Sequence, residues 1–292
     1  TLLNHYEQKG IKKVGFDPSA EKFKTYYNDD TQLVVDFFSA KSFELVSQSK
    51  PKVVTSIAMF YDLPNPLMFV QDISKVLHQN GIWIFEQSYL FDMLKTNSFD
   101  TICQEHLEYY SLSSIKWMMD KADLKIVDIE FNATNGGSIR IIGAHKSNSD
   151  FQEYGNLKNL LKWENTKNLI TEFEVFSKNI EVIKSQLNSL IKNTISEGGK
   201  VFGLGASTKG NTLIQHFNLT NTEITSIGEV NSDKIGRFTP GSNIPIVSEN
   251  EVLEKMENKD IAIVFPWHFE EFFTLNEKFK GKRLVFPLPK LH

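Results

Sequence analysis

The chain has 292 residues, 40% apolar and 23% charged, with 23 phenylalanines and a net charge of −4. That length is a prior for two globular domains with material for an aromatic core. The charge and the lack of any Lys/Arg run argue against nucleic acid as a partner, and no stretch of about 18 apolar residues offers a membrane span. A single cysteine, Cys103, excludes an intrachain disulfide and a CxxC zinc cluster, and it favours a reducing, cytoplasmic setting. No secretory signal is visible.

Residues 1–10 place Leu2, Leu3 and Tyr6 on one helical face, and Gly10 can close that helix in the left-handed conformation. Residues 13–16 read as a short strand ending at Asp17-Pro18-Ser19. A carboxylate at such a strand tip can accept two hydrogen bonds from a ribose diol, and Asp17 could equally N-cap a helix beginning at Pro18. Residues 32–35 form the next strand, ending at Asp36-Phe37-Phe38. A carboxylate toward the exocyclic amine and a ring against a ring would hold an adenine. A cap followed by core phenylalanines is the plainer assignment. Residues 52–58 are a buried strand that runs into the aromatic loop 59–66, stopped by Pro64 and Pro66. Helical spacing follows over 67–77, then a strand over 82–86.

The densest polar stretch comes next: Asn97-Ser98-Phe99-Asp100-Thr101-Ile102-Cys103-Gln104-Glu105-His106-Leu107-Glu108-Tyr109-Tyr110. It lies between a strand and the helix signal Ser111-Leu112-Ser113-Ser114, where α/β sheets carry their chemistry. A His beside a Glu there can act as a general base near neutral pH. The alternative is a solvated loop with one structural histidine. Residues 114–122 are amphipathic helix, and 124–131 alternate as a strand. Asn135-Gly136-Gly137 is a hairpin turn, with 138–144 as the partner strand. A closing antiparallel pair of this kind is a feature of the class I methyltransferase sheet, whereas dinucleotide-binding sheets usually stay parallel to the end.

Residues 145–150 form a polar linker. The stripe Leu169, Phe173, Phe176, Ile180, Ile183, Leu187, Leu190 and Ile191 reads as a long helix covering a second domain. Lys200-Val201-Phe202-Gly203-Leu204-Gly205 is strand and glycine turn, and Ala206-Ser207-Thr208-Lys209-Gly210-Asn211 leads into a helix over 212–217. Glycines let the backbone approach a phosphate, and a helix N-terminus adds N–H donors and a favourable dipole. Thr208 stands where the dinucleotide fingerprint has its third glycine, and no acid can be assigned to the tip of the second strand. NAD is therefore disfavoured, while Ser207 and Lys209 suit an anionic group such as a sugar-nucleotide pyrophosphate. A tight turn with an exposed lysine is the alternative. Further strands are expected at 223–230, 261–265 and 283–286, with the loop Arg237-Phe238-Thr239-Pro240-Gly241 and the cluster Pro266-Trp267-His268-Phe269 between them. His268 is expected as a loop histidine more than as a ligand.

Several stretches together resemble the sugar C-methyltransferases, which act on keto-deoxysugar nucleotides. They are Phe60-Tyr61-Asp62-Leu63-Pro64-Asn65-Pro66, Glu86-Gln87-Ser88-Tyr89, the 98–110 run with Glu105-His106, Asn135-Gly136-Gly137-Ser138, 203–210 and Thr239-Pro240-Gly241. The resemblance spans essentially the whole chain and keeps the motif order. It implies an α/β protein: a class I methyltransferase Rossmann-like sheet over 1–148, incomplete at its N-terminus, then a second Rossmann-like domain over 149–292 that binds substrate. It implies S-adenosylmethionine as cofactor, held by Asp17, Pro18, Asp36, Phe37, Ser56 and Phe60. It implies an enolate generated by His106 as base, with Glu105 orienting it and Tyr109 or Tyr110 donating toward the oxyanion. Asn135, Gly136, Ser207, Lys209, Arg237 and His268 would grip the nucleotide-sugar. The family also carries an N-terminal zinc-binding domain. That domain and the family's first glycine-rich cofactor loop are expected to lie outside this chain, with no metal site inside it. Cys103 departs from the family pattern, which has Tyr two places before the Glu. The expected partner is a nucleotide-sugar, with no nucleic acid or membrane, and the expected assembly is a monomer or small homo-oligomer. The alternatives are a non-catalytic sugar-nucleotide-binding relative and an NAD-dependent oxidoreductase.

Overall fold

The computed structural model describes residues 2–8 and 10–292. Two compact units form, and neither is one continuous stretch. The first comprises Thr1–Phe85, Ser114–Ile129 and Ile141–Leu157; the second comprises Glu86–Ser113, Glu130–Arg140 and Lys158–His292.

The helix expected over 1–10 is a single 3₁₀ turn, Leu2–His5, with Leu2 47% exposed. Two leucines and a tyrosine bury too little to offset the cost of starting a helix. Residues 1 and 9 lie outside the described residues. In chain order there follow β1 (Lys13–Phe16), α1 (Ala20–Phe23), β2 (Thr31–Val34), α2 (Ala40–Val46), β3 (Val53–Ile57), α3 (Pro66–Val76), β4 (Ile82–Ser88), α4 (Leu90–Lys95), α5 (Leu112–Lys121), β5 (Leu124–Asn132) and β6 (Ser138–His145). β1 and β2 pair in parallel as a two-stranded sheet of their own, Lys13 opposite Thr31 and Phe16 opposite Val34. The remaining four strands form a sheet in the order β3-β4-β6-β5. β5 and β6 are sheet neighbours joined by five residues, a connection only an antiparallel pair permits.

The first unit's core is aromatic. Trp83 and Phe85 point to one face of β4 and stack at 4.0 Å, with Phe60 and Phe69 against them. Phe38 packs edge-on against Phe16 and Phe69. Each fully buried ring of this kind stabilises the fold by about 1.5–3 kcal/mol. The Trp83 indole N–H, which needs a partner once buried, donates to Ser56 Oγ at 3.1 Å.

The chain continues with α6 (Leu157–Asn165), α7 (Leu169–Ser196), β7 (Val201–Leu204), α8 (Thr208–His216), β8 (Ile227–Glu229), β9 (Ile246–Ser248), α9 (Glu249–Lys255), β10 (Ile261–Val264), α10 (Glu270–Leu275) and β11 (Leu284–Val285). These five strands pair in parallel in the order β11-β10-β7-β8-β9. The order grows outward from β7 on both sides, so the winding reverses between β7 and β10. Such a reversal opens a crevice beyond the carboxyl ends of those two strands. α7 buries Phe176, Ile180, Ile183, Leu187 and Ile191 of the expected stripe, whereas its first two members, Leu169 and Phe173, remain exposed. α8 starts four residues earlier than expected because Ser207 caps it. Among the described residues no helix is long and apolar enough to cross a membrane.

Candidate active site

At the winding reversal, the turns after β7 and β10 touch. Gly205 has φ +82°, and a Cβ there would lie 2.6 Å from Pro266 Cδ, so only glycine fits. Ser207 Oγ accepts the Gly210 N–H at 3.0 Å and opens α8. A Cβ on Gly210 would lie 3.0 Å from Phe265 Cβ and 3.2 Å from Gly205 O. Gly210 therefore lets the helix lie close to the strand, a task the sequence fingerprint assigns to position 208. Glu229, at the tip of β8, is the acid the sequence could not place. Its carboxylate accepts N–H groups from Ala206 (3.0 Å), Val230 (2.7 Å) and Asn231 (3.0 Å). Burial pushes its carboxyl up, but those N–H groups together with Lys234 more than offset this and hold it below its ordinary value.

Three other segments of the second unit meet the start of α8. The Lys209 ammonium donates to the Asn135 carbonyl at 3.0 Å, and Asn135 itself is left-handed (φ +56°) in the β5–β6 turn. The Trp267 indole donates to Asp100 Oδ2 at 2.9 Å. A Cβ on Gly136 would fall 2.7 Å from the Trp267 ring and 2.8 Å from Ser98 Oγ, so this glycine admits the indole. Asp100 is wholly buried, and its Oδ1 has no hydrogen-bond partner among the described residues. Burial raises its pKa, opposed by Lys209, the indole and the backbone N–H groups of Asp100 and Thr101. Burial lowers the pKa of Lys209, opposed by Asp100 and Cys103. His268 is driven down to about 4, first by burial and then by Lys209. It is thus a neutral imidazole at pH 7, with a buried Nδ1 that lacks a partner among the described residues. Asn135, Gly136, Ser207, Lys209 and His268 belong to this one unit, and Asp100 and Trp267 join them although neither was singled out in the sequence. Arg237 is exposed on the β8–β9 connection, its backbone bonded to Lys234 and Ile246, and no contact that builds the cluster involves it.

The loop from Ile102 to Tyr110 carries the expected base. The His106 N–H bonds to Cys103 O at 3.2 Å, which fixes a turn, and the His106 side chain is half-buried. Glu105 is exposed and turns its carboxylate to the Cys103 thiol at 3.5 Å. Burial pushes the Cys103 thiol up. Tyr109 Oη donates to Thr101 O at 3.3 Å, and burial, helped by Cys103, lifts its phenol to about 12. It remains a protonated donor at any physiological pH. Tyr110 is deeply buried and its phenol is raised further, by burial and then Glu108. Its backbone pairs with Tyr89.

In the first unit, Asp17 and Asp36 stand just beyond the ends of the parallel neighbours β1 and β2. Asp17 Oδ1 accepts the N–H and hydroxyl of Ser19 at 2.7 and 2.6 Å, so it organises the turn before α1, which starts at Ala20 instead of Pro18. Asp36 Oδ1 accepts the Phe37 N–H at 2.7 Å. Phe37 is 72% exposed, while Phe38 takes the core position. Two carboxylates at adjacent strand tips beside an exposed ring fit an adenosine group. Ser56 and Phe60 are both buried: the Ser56 hydroxyl accepts the Trp83 indole N–H, and Phe60 is 0% exposed beneath Phe69 and Phe85. Among the described residues no group of three or more His, Cys, Asp or Glu could hold a metal ion.

Comparison with known proteins gives a family. The profile described as "C-methyltransferase C-terminal domain" matches residues 133–289, and one described as "Methyltransferase domain" matches 1–129. The chain is 26% identical over 295 residues to C-methyltransferase NovU of Streptomyces niveus, covering 99% of this chain and 70% of that protein. Among solved structures it is similar to a Haloferax volcanii methyltransferase in complex with the Trm112 activator, at 16% identity and a TM-score of 0.40, covering 49% of this chain and 75% of that one. An S-adenosylmethionine-dependent methyltransferase from Clostridium acetobutylicum gives 11% identity and a TM-score of 0.35, covering 46% and 75%.

Proposed function

Because this chain belongs to the S-adenosylmethionine-dependent C-methyltransferases, we propose that its acceptor is the carbon beside the ketone of a nucleotide-linked keto-deoxysugar. S-adenosylmethionine, when bound, supplies a methyl group made electrophilic by its sulfonium. Asp17 would accept the ribose hydroxyls, Asp36 the adenine amine, and Phe37 would stack on the base, with Pro18 shaping the turn.

The observation that carries the acceptor reading is the cluster at the β7–β10 reversal. There an ammonium, Lys209, sits beside a neutral imidazole, His268, at the start of a helix. Desolvated donors at a helix N-terminus favour an anionic oxygen. A C–H beside a ketone is acidified by the carbonyl. His106 removes that proton, Glu105 supports the charged imidazole, and Tyr109 or Tyr110 donates toward the oxygen that gains charge.

The test separates proton removal from methyl transfer. His106→Ala should lower turnover by about 10²–10⁴-fold while leaving binding of the sugar nucleotide nearly unchanged. Solvent-deuterium exchange at the carbon beside the ketone, measured without cofactor, should slow in parallel. Exchange at the parent rate would show that His106 is not the base.

An NAD-dependent oxidoreductase is the second reading, and Glu229 at the tip of the second strand is the observation for it. Its carboxylate already takes three backbone N–H groups, which ribose hydroxyls would have to displace. Accordingly, a nucleoside diphosphate should raise the thermal midpoint at concentrations where NAD does not.

A further inference from the structure

Lys209 is held where an ammonium is hard to keep. It lies in the first turn of α8, at the positive end of the helix dipole, and most of its side chain is removed from water. Its hydrogen bond to the Asn135 carbonyl is to a neutral acceptor. The turn Phe99–Thr101 packs on α8 and brings Asp100, a carboxylate with no exposed surface, toward it. One oxygen of Asp100 is fixed by Trp267 and the other has no partner among the described residues. An unpaired oxygen on a buried carboxylate is costly unless a positive charge compensates it. The titratable groups in electrostatic reach of Lys209 are Asp100 on that turn, Cys103 on the loop after it, and His268 on the turn after β10. The latter two are neutral at pH 7, since burial lifts the thiol and depresses the imidazole.

We infer that Asp100 is a positioning residue that keeps Lys209 protonated inside a desolvated cluster, so that its ammonium can hold an anionic oxygen of the substrate. This rests on the reading that Lys209 meets the acceptor's anionic part. Removing the negative charge lets the Lys209 pKa fall, and the ammonium is then lost at a lower pH as pH rises.

Two measurements on the whole chain test this. Nitrogen-detected NMR of labelled lysine side chains follows the Lys209 amine directly, and calorimetry follows thymidine diphosphate as the probe. In Asp100→Asn the amine should titrate lower by about one pH unit or more, and binding should fail at a correspondingly lower pH. In a Lys209→Arg background the guanidinium stays charged, so Asp100→Asn should leave the pH limit of binding in place. An unmoved Lys209 titration, or an equal loss of binding in the arginine background, overturns the inference. Should Asp100→Asn fail to fold, the double variant with Lys209→Met should fold, because neither charge is then left alone. A double variant that also fails overturns it too. If the amine titration shifts but thymidine diphosphate binds to neither protein at any pH, the acceptor reading falls and the role of Asp100 stands.

Discussion

His268 shows how one residue couples the cluster to pH. Its folded pKa is depressed to about 4 from an ordinary 6.5, by burial and by Lys209. The unfolded chain therefore binds a proton between those values that the folded chain refuses. Stability is fully present above about pH 6.5 and is lost as pH falls toward 4. A His268→Gln variant lacks this contribution. Its thermal midpoint should drop less than the parent's between pH 7.5 and 4.5, and equal drops would show that the imidazole is not held neutral. Gly136 is tested at the same scale. Alanine there must take φ +91° and overlap the Trp267 ring, so Gly136→Ala should destabilise by about 3 kcal/mol or more in urea titrations. Gly10, with φ +83° and open space around it, should cost only about 1 kcal/mol on the same change.

Among the elements, α6 and the start of α5 are joined by one acid. Glu164 is buried and accepts Tyr89 Oη at 2.7 Å, the N–H groups of Leu112 (2.7 Å) and Ser113 (2.8 Å), and the Ser113 hydroxyl. It caps a helix from a distance, where a local Ser or Asp would usually serve. Glu164→Ala leaves several buried donors unpaired and should destabilise by about 3 kcal/mol or more, with Glu164→Gln losing less. A cost under 1 kcal/mol would mean that water fills the site. Such a cap also marks the limit of what the sequence discloses. The alternation of strands and helices was legible because periods of 2 and 3.6 are local, and the glycine turn after β7 was legible because its residues are adjacent. Asp100 and Trp267 are separated by 167 positions, and Lys209 and Asn135 by 74, so no local pattern announces either contact. The expected strand over 223–230 forms only at its end, Ile227–Glu229. That shortening hid Glu229 as the tip acid. The partner of Ser56 was hidden for a related reason: its hydroxyl accepts the indole N–H of a tryptophan 27 positions away.

For the whole molecule, the two units differ in how their sheets end. The five parallel strands of the chain's C-terminal half run unbroken from β11 to β9, whereas the six before them divide into a pair and a group of four. β3 closes that group on one side, with Val53 43% and Ile57 41% exposed. Among the described residues no strand pairs with the outer side of β3, and a strand border with β-branched side chains is a template onto which another extended chain can add. The 292-residue chain, purified by itself, should therefore associate as its concentration rises, and added salt should hasten this by screening the mutual repulsion from its net charge of −4. Light scattering of a Val53→Lys variant should stay at the monomer value where the parent climbs, since a lysine on a border strand blocks stacking. For anyone handling this 292-residue chain, that border sets the concentration at which a binding curve can be trusted.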